Sequence, residues 1–138
     1  MAKIEGNRTQ SRIKQTGEVF TPPGLVAKML DNLPRDVWEE NKTFCDPAAG
    51  DGNFIVTVLA WKLAEGHNPT EALRSVYAVE LMKDNCITMQ RRLLALVQDT
   101  PEHRAIIGKN IVWANSLQYD MEFDKSTDNR AETERLEK

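Results

Sequence analysis

Apolar residues recur along this chain with two different periods. Leu25, Val26, Met29, Leu30 and Leu33 fall at helical spacing behind Thr21-Pro22-Pro23. A helix is expected there, with Thr21 as its cap, the prolines in its first turn and Pro34 as its end. Residues 43–46, Thr-Phe-Cys-Asp, are a short run that reads as a buried strand. From Asn53, the run FIVTVLAWKLAE reads as a strongly apolar helix closed by Gly66. Asn68-Pro69-Thr70-Glu71 has the pattern of a capped helix start. Ser75 to Val79, SVYAV, is β-branched and aromatic, and so a second strand. Residues 82–97 form a second long helix with Ile87, Leu93, Leu94 and Val97 apolar, and Asn110 to Ala114, NIVWA, is a third strand. Strands alternating with helices predict an α/β fold whose strands are parallel and joined by crossover helices.

Length and charge narrow this picture a little. A chain of 138 residues, 41% apolar and 28% charged, suits one compact domain. No stretch approaches the roughly 20 apolar residues of a membrane span. The start, MAKIEGNRTQSRIK, lacks the apolar core of a signal peptide, so a cytoplasmic protein with no membrane partner is expected. The net charge of −3 makes no case for nucleic-acid binding. Residues 1–16 nonetheless carry Lys3, Arg8, Arg12 and Lys14 against Glu5, and residues 120–138 are acidic in balance. The expected organisation is a flexible basic arm (1–16), a folded domain (17–120) and a charged tail (121–138). The arm is either a phosphate contact or a solvated terminus. Cys45 and Cys86 read as small buried hydrophobes, His67 and His103 as surface residues without a metal or catalytic role, and Trp38, Trp61 and Trp113 as core aromatics.

The chemistry concentrates in Asp46-Pro47-Ala48-Ala49-Gly50-Asp51-Gly52-Asn53-Phe54, directly after one strand and directly before a helix. Glycines there permit close backbone approach, and the helix start offers free N–H groups to a carboxylate or phosphate. Asp46 falls at the carboxyl end of a strand, where open α/β sheets bind ligands. The loop lacks the third glycine of a dinucleotide fingerprint, whose place is taken by Ile55, and the Gly-Lys-Ser/Thr of a phosphate loop. Taken singly, Asp46 could be a cap, Glu80 a solvent-facing acid and Gly17 to Pro22 a turn into a helix.

The pattern acid-Pro-Ala-x-Gly-x-Gly-x-Phe resembles the cofactor loop of amino-group DNA methyltransferases. Two other segments fall in that family's order. Gly17-Glu18-Val19-Phe20-Thr21-Pro22 is similar to the segment closing over the methionine end of the cofactor, and Tyr77-Ala78-Val79-Glu80-Leu81 ends the second strand in an acid. The resemblance, over residues 17–120, implies a Rossmann-like methyltransferase fold with a partial parallel sheet of about three strands. It implies S-adenosylmethionine as cofactor and, for the complete enzyme, methyl transfer to the exocyclic amine of adenine in DNA, as in restriction–modification systems. By the same resemblance, Phe20, Thr21 and Pro22 would meet the methionine end, with Asp46, Ala48, Gly50, Asp51 and Gly52 forming the loop. Glu80 would accept from the ribose hydroxyls, with Leu81 and Met82 against the adenine ring. Asn115, where the family usually has Asp, would accept from the adenine amine.

The family holds its target amine with an Asn/Asp-Pro-Pro-aromatic motif. The sole Asn-Pro here, Asn68-Pro69-Thr70, lacks the second proline and the aromatic residue and falls at a helix start. No catalytic residue and no metal ligand are therefore assigned. The chain is expected to be part of a truncated or split methyltransferase, inactive in isolation. A stand-alone cofactor-binding, regulatory or interaction module, or an unrelated small-molecule-binding domain, are the alternatives. The sheet order third, second, first would leave the first strand's edge open, inviting a homodimer or a second chain, with DNA as the partner of the whole assembly. One local cover is conceivable: Leu117 to Phe123 alternates apolar and polar residues and could return as an extra strand.

Overall fold

A computed structural model of the chain describes residues 21–39 and 42–123. The basic arm, Phe20 and residues 124–138 of the tail lie outside the described residues. The described chain runs α1 (Pro23–Asp31), a 3-10 turn (Arg35–Trp38), β1 (Phe44–Asp46), α2 (Asn53–Ala64), α3 (Pro69–Arg74), β2 (Val76–Glu80), α4 (Lys83–Leu94), α5 (Pro101–Asn110) and β3 (Ile111–Trp113). The three strands form a parallel sheet in the order β1-β2-β3, as the alternation of elements predicts. Flanking helices complete an α/β architecture compatible with a Rossmann-like fold.

Side chains alternate across the strands and sort into two faces. Phe44 is in register with Val76, and Ala78 with Ile111; all four belong to the main core, beside Ile55, Val58 and Leu59 of α2 and Cys86, Met89 and Leu93 of α4. Cys45 pairs with Tyr77, and Val79 with Val112, on the opposite face. Cys45 is exposed rather than buried as expected, because β1 is an edge strand among the described residues and Cys45 falls on the face away from that core. Cys86 is buried.

Each strand-to-strand connection contains two helices. Asn68 caps α3, its Oδ1 accepting from the Glu71 N–H at 3.1 Å. The second connection holds α5, which the apolar pattern did not reveal; its start is marked by Thr100, whose hydroxyl oxygen accepts from the His103 N–H at 3.1 Å, and by Pro101 in the first turn. His103 is accordingly not a surface residue. It is buried, with Nδ1 2.6 Å from the Gln98 carbonyl and Nε2 2.9 Å from the Thr70 hydroxyl. A carbonyl can only accept, so in the neutral ring Nδ1 carries the proton and Nε2 accepts from Thr70. His67 is half-buried.

Three other expectations change. The residue preceding α1 is Pro22, without a side-chain cap bond, so Thr21 does not cap that helix. Val26 and Leu30 bury on the core, whereas Leu25 (49% exposed) and Met29 (46%) face outward, so the apolar stripe is wider than the face that packs. Leu117 to Phe123 forms turns and no strand. Phe123 instead meets Tyr77 of β2 at 4.9 Å and Tyr119 at 5.3 Å, bringing aromatic rings onto the face that Tyr77 shares with Cys45. Trp38 and Trp61 are half-buried against the core and 5.4 Å apart. Among the described residues no helix is long and apolar enough to cross a membrane.

Candidate functional site

The carboxyl ends of β1 and β2 bring two loops together. The turn after β1 is built on positive-φ glycines, Gly50 at 59° and Gly52 at 95°, a region that side chains with a Cβ avoid. Asp46 at the end of β1 folds its carboxylate back to accept from the Ala48 N–H at 3.0 Å. Burial pushes the Asp46 carboxyl above its ordinary value, and that hydrogen bond partly opposes the shift. The Ala49 N–H reaches the Val79 carbonyl at 3.1 Å, fastening the loop to β2.

Glu80 joins the two loops. Its Oε1 accepts from the Gly50 N–H at 2.9 Å, while Oε2 accepts from the Met82 N–H at 2.9 Å and from Asn85 Nδ2 at 3.2 Å. The residue is 7% exposed, and Asn85, in the first turn of α4, is fully buried. A buried carboxylate is tolerable only with such donors. Leu81, next in the chain, is exposed, and its carbonyl accepts from Trp113 Nε1 at 3.0 Å.

The two glycines differ in surroundings. A Cβ on Gly52 would lie 2.6 Å from Met89 Cγ, so that position is kept bare by the packing of α4 as well as by its φ. Gly50 is bonded to Glu80 through its own N–H. Gly52 also caps α2 without a side chain, which leaves its first-turn N–H groups uncapped by the residue before them.

Thr21, Asp46, Ala48, Gly50, Asp51 and Asn53 line a crevice of about 40 Å³ beside this loop. Pro22 follows directly, with its carbonyl accepting the Leu25 and Val26 N–H groups. Asn53 Nδ2 donates to the Thr21 carbonyl at 2.9 Å; Arg92 Nη1 of α4 donates to Asn53 Oδ1 at 2.9 Å and to the Asp51 carbonyl at 3.0 Å. The same guanidinium lies 3.4 Å from Asp51 Oδ1, which is buried without a hydrogen bond. Asn115, after β3, spends its side-chain oxygen on the Leu117 N–H at 3.0 Å. Thus Thr21, Asp46, Ala48, Gly50 and Asp51 share one crevice, with Glu80 bonded to its loop. Asn115 is engaged locally, and Phe20 is outside the described residues.

Sequence alone does not mark Asn53, Asn85 or Arg92 as site residues. Asn53 stood inside the glycine motif but read as a helix start; Arg92 meets it from 39 positions away, and no local pattern marks such a pair. A wider cavity, about 530 Å³, lies apart from this loop among Leu30, Leu33, Arg35, Trp38, Trp61 and Glu65. Among the described residues no group of His, Cys, Asp and Glu could hold a metal ion.

Comparison with known proteins bears on the chain's relationships. No family model matches the chain, and no solved structure matches it. Over 52 residues the chain is 38% identical to the Type II methyltransferase M.VspI of Vibrio sp. (strain 343); the match takes in 38% of this chain and 12% of that enzyme. The chain therefore spans a small part of that relative's length, and the identity supports a methyltransferase relationship.

Proposed function

We propose that this chain is the S-adenosylmethionine-binding part of a DNA adenine methyltransferase. The observation that carries the reading is the bond between the Gly50 N–H and Glu80, which unites the glycine loop with the acid ending β2 at the carboxyl edge of a parallel sheet. The similarity to a Type II methyltransferase supports the same reaction class. The residues present suit the cofactor's chemistry: an acidic acceptor for a ribose diol, an exposed Leu81 for an adenine face, and helix-start N–H groups for a carboxylate. The bound cofactor would supply an activated methyl group. This chain's own residues bind and orient it. Because Glu80 already accepts from Gly50 and Met82, ribose hydroxyls must share its oxygens with those N–H groups or displace them. The crevice of about 40 Å³ beside the loop is the place for one end of the ligand.

A second reading is a module that binds the cofactor without itself transferring the methyl group; the glycine loop and Glu80 serve either reading alike. The outer edge of β1 pairs with no strand among the described residues, and α1 presents Leu25 and Met29 outward. Both features support a second chain or a second copy seated there, with DNA engaged by the assembly.

Titration calorimetry with S-adenosylmethionine and S-adenosylhomocysteine tests the first reading. One site is expected, and Glu80→Ala should weaken it by about 1.5–3 kcal/mol through loss of charge-assisted hydrogen bonds. Absence of any heat at millimolar ligand removes the reading.

A further inference from the structure

We propose that Arg92 and Asn53 are positioning residues that clasp the Thr21 backbone against the glycine loop and thereby set the subsite for the amino-acid end of the cofactor. The inference rests on the cofactor reading above. It goes beyond that reading in naming two side chains outside the glycines and the Glu80 acid.

Three segments meet at one amide. Asn53 Nδ2 donates to the Thr21 carbonyl at 2.9 Å, and Asn53 Oδ1 accepts from Arg92 Nη1 at 2.9 Å. The amide is thus oriented from both ends. A carbonyl can accept only from the nitrogen, and a guanidinium can donate only to the oxygen. Arg92 also donates to the Asp51 carbonyl at 3.0 Å, tying the loop itself to α4. Asn53 and Arg92 are part-buried, where a charge-assisted bond is stronger than in open water. Thr21 has no cap role in α1. The Pro22 carbonyl anchors the following residue to α1, and the Asn53 amide fixes the Thr21 carbonyl itself against the glycine loop. The crevice it lines contains Asp46, Asp51 and the start of α2, and Glu80 is joined to it through Gly50. The clasp acts on the end of the site bounded by Thr21, while Glu80 and Leu81 belong to the other end. That division lets the two ends be weakened separately.

Asn53→Asp is the informative variant. It retains an acceptor for Arg92 and the helix start, but it replaces the donor to Thr21 with a carboxylate oxygen. Arg92→Gln removes the orienting charge from the other side. Affinity of the full chain for S-adenosylhomocysteine and for 5′-methylthioadenosine, which lacks the amino-acid end, is read by ¹⁵N–¹H NMR titration, a method that reaches millimolar dissociation constants. Melting temperatures of the variants are recorded in parallel. Both variants should weaken S-adenosylhomocysteine about five- to tenfold, each such factor corresponding to about 1–1.4 kcal/mol, while 5′-methylthioadenosine changes less than about twofold. Glu80→Gln should weaken both ligands alike. If the wild-type chain binds neither ligand, the cofactor reading itself fails. If it binds both and the clasp variants weaken both equally, or weaken neither, the cofactor reading survives and the clasp is overturned. A fall in melting temperature without the split between ligands also counts against it.

Discussion

Replacing Gly52 by alanine should destabilise the fold whether or not any ligand is present. Two costs arise at the same atom. The backbone sits at φ +95°, where a residue with a Cβ is strained, by about 1–2 kcal/mol. The new methyl would also lie 2.6 Å from Cγ, 3.0 Å from Cβ and 3.1 Å from Sδ of Met89. Met89 is fully buried in the main core, so it can yield only by displacing its neighbours, an overpacking cost of about 1–3 kcal/mol. Together the two give about 2–5 kcal/mol, a large share of the stability of a domain this size. Urea unfolding followed by circular dichroism reads the change as a lower midpoint at unchanged slope. A cycle with Met89→Ala separates the terms, because truncation removes Cγ and Sδ while the φ strain stays. The single variants should therefore be non-additive by about 1–2 kcal/mol. A Gly52→Ala variant within about 0.5 kcal/mol of wild type, a neutral surface-like change, would refute the argument that α4 keeps this position bare.

Other outcomes follow from buried polar groups and open edges. Lys62 is fully buried, its Nζ donating to the Lys42 carbonyl at 2.7 Å and to Ser75 Oγ at 2.5 Å, and burial lowers its amine to about 8. The unfolded chain keeps that proton to about pH 10.4 while the folded chain releases it earlier, so stability should rise between those values by up to about 3 kcal/mol. Below the folded value both states are protonated and this slope vanishes; in Lys62→Met it should be missing throughout, and an identical pH profile for the two proteins would contradict the assignment. His103→Ala, which strands the Gln98 carbonyl and the Thr70 hydroxyl, should cost about 2–4 kcal/mol by the same urea assay. Asn68→Ala should cost about 1 kcal/mol through loss of the α3 cap. Light scattering over a concentration series should report association through the β1 edge and the outward face of α1; the Phe44 N–H is already bonded to the Ser75 carbonyl within the sheet, so a strict monomer with fast amide exchange at Cys45 would contradict it.

The parts legible in sequence are those governed by local pattern. β2 is β-branched and aromatic in the middle of the sheet, and it falls one residue from where its composition puts it. The loop glycines stand where the backbone turns left-handed. Asn68 and Gly66 punctuate their helices as their chemistry dictates. What stayed hidden depends on distant partners. α5 has only Ile106 and Ile107 as large buried apolar side chains, adjacent rather than spaced along one face, so periodicity gave no sign of it. His103 looked exposed because Thr70, one of its partners, lies 33 positions away. Cys45 has the composition of a core residue but falls on the outer face of an edge strand. The clasp of Thr21, Asn53 and Arg92 is a meeting of three segments, each unremarkable by itself.

The proposed seat of the cofactor is the glycine loop. Chemical-shift mapping with S-adenosylhomocysteine on ¹⁵N-labelled protein tests it most directly, because the wider cavity at Trp38 and Trp61 is a competing place for a ligand. The account predicts saturable shifts at Gly50, Asp51, Gly52, Glu80 and Leu81, with the Trp38 and Trp61 indole signals unmoved. Shifts confined to those two indoles and Leu33, with the glycine-loop amides unchanged, would contradict it.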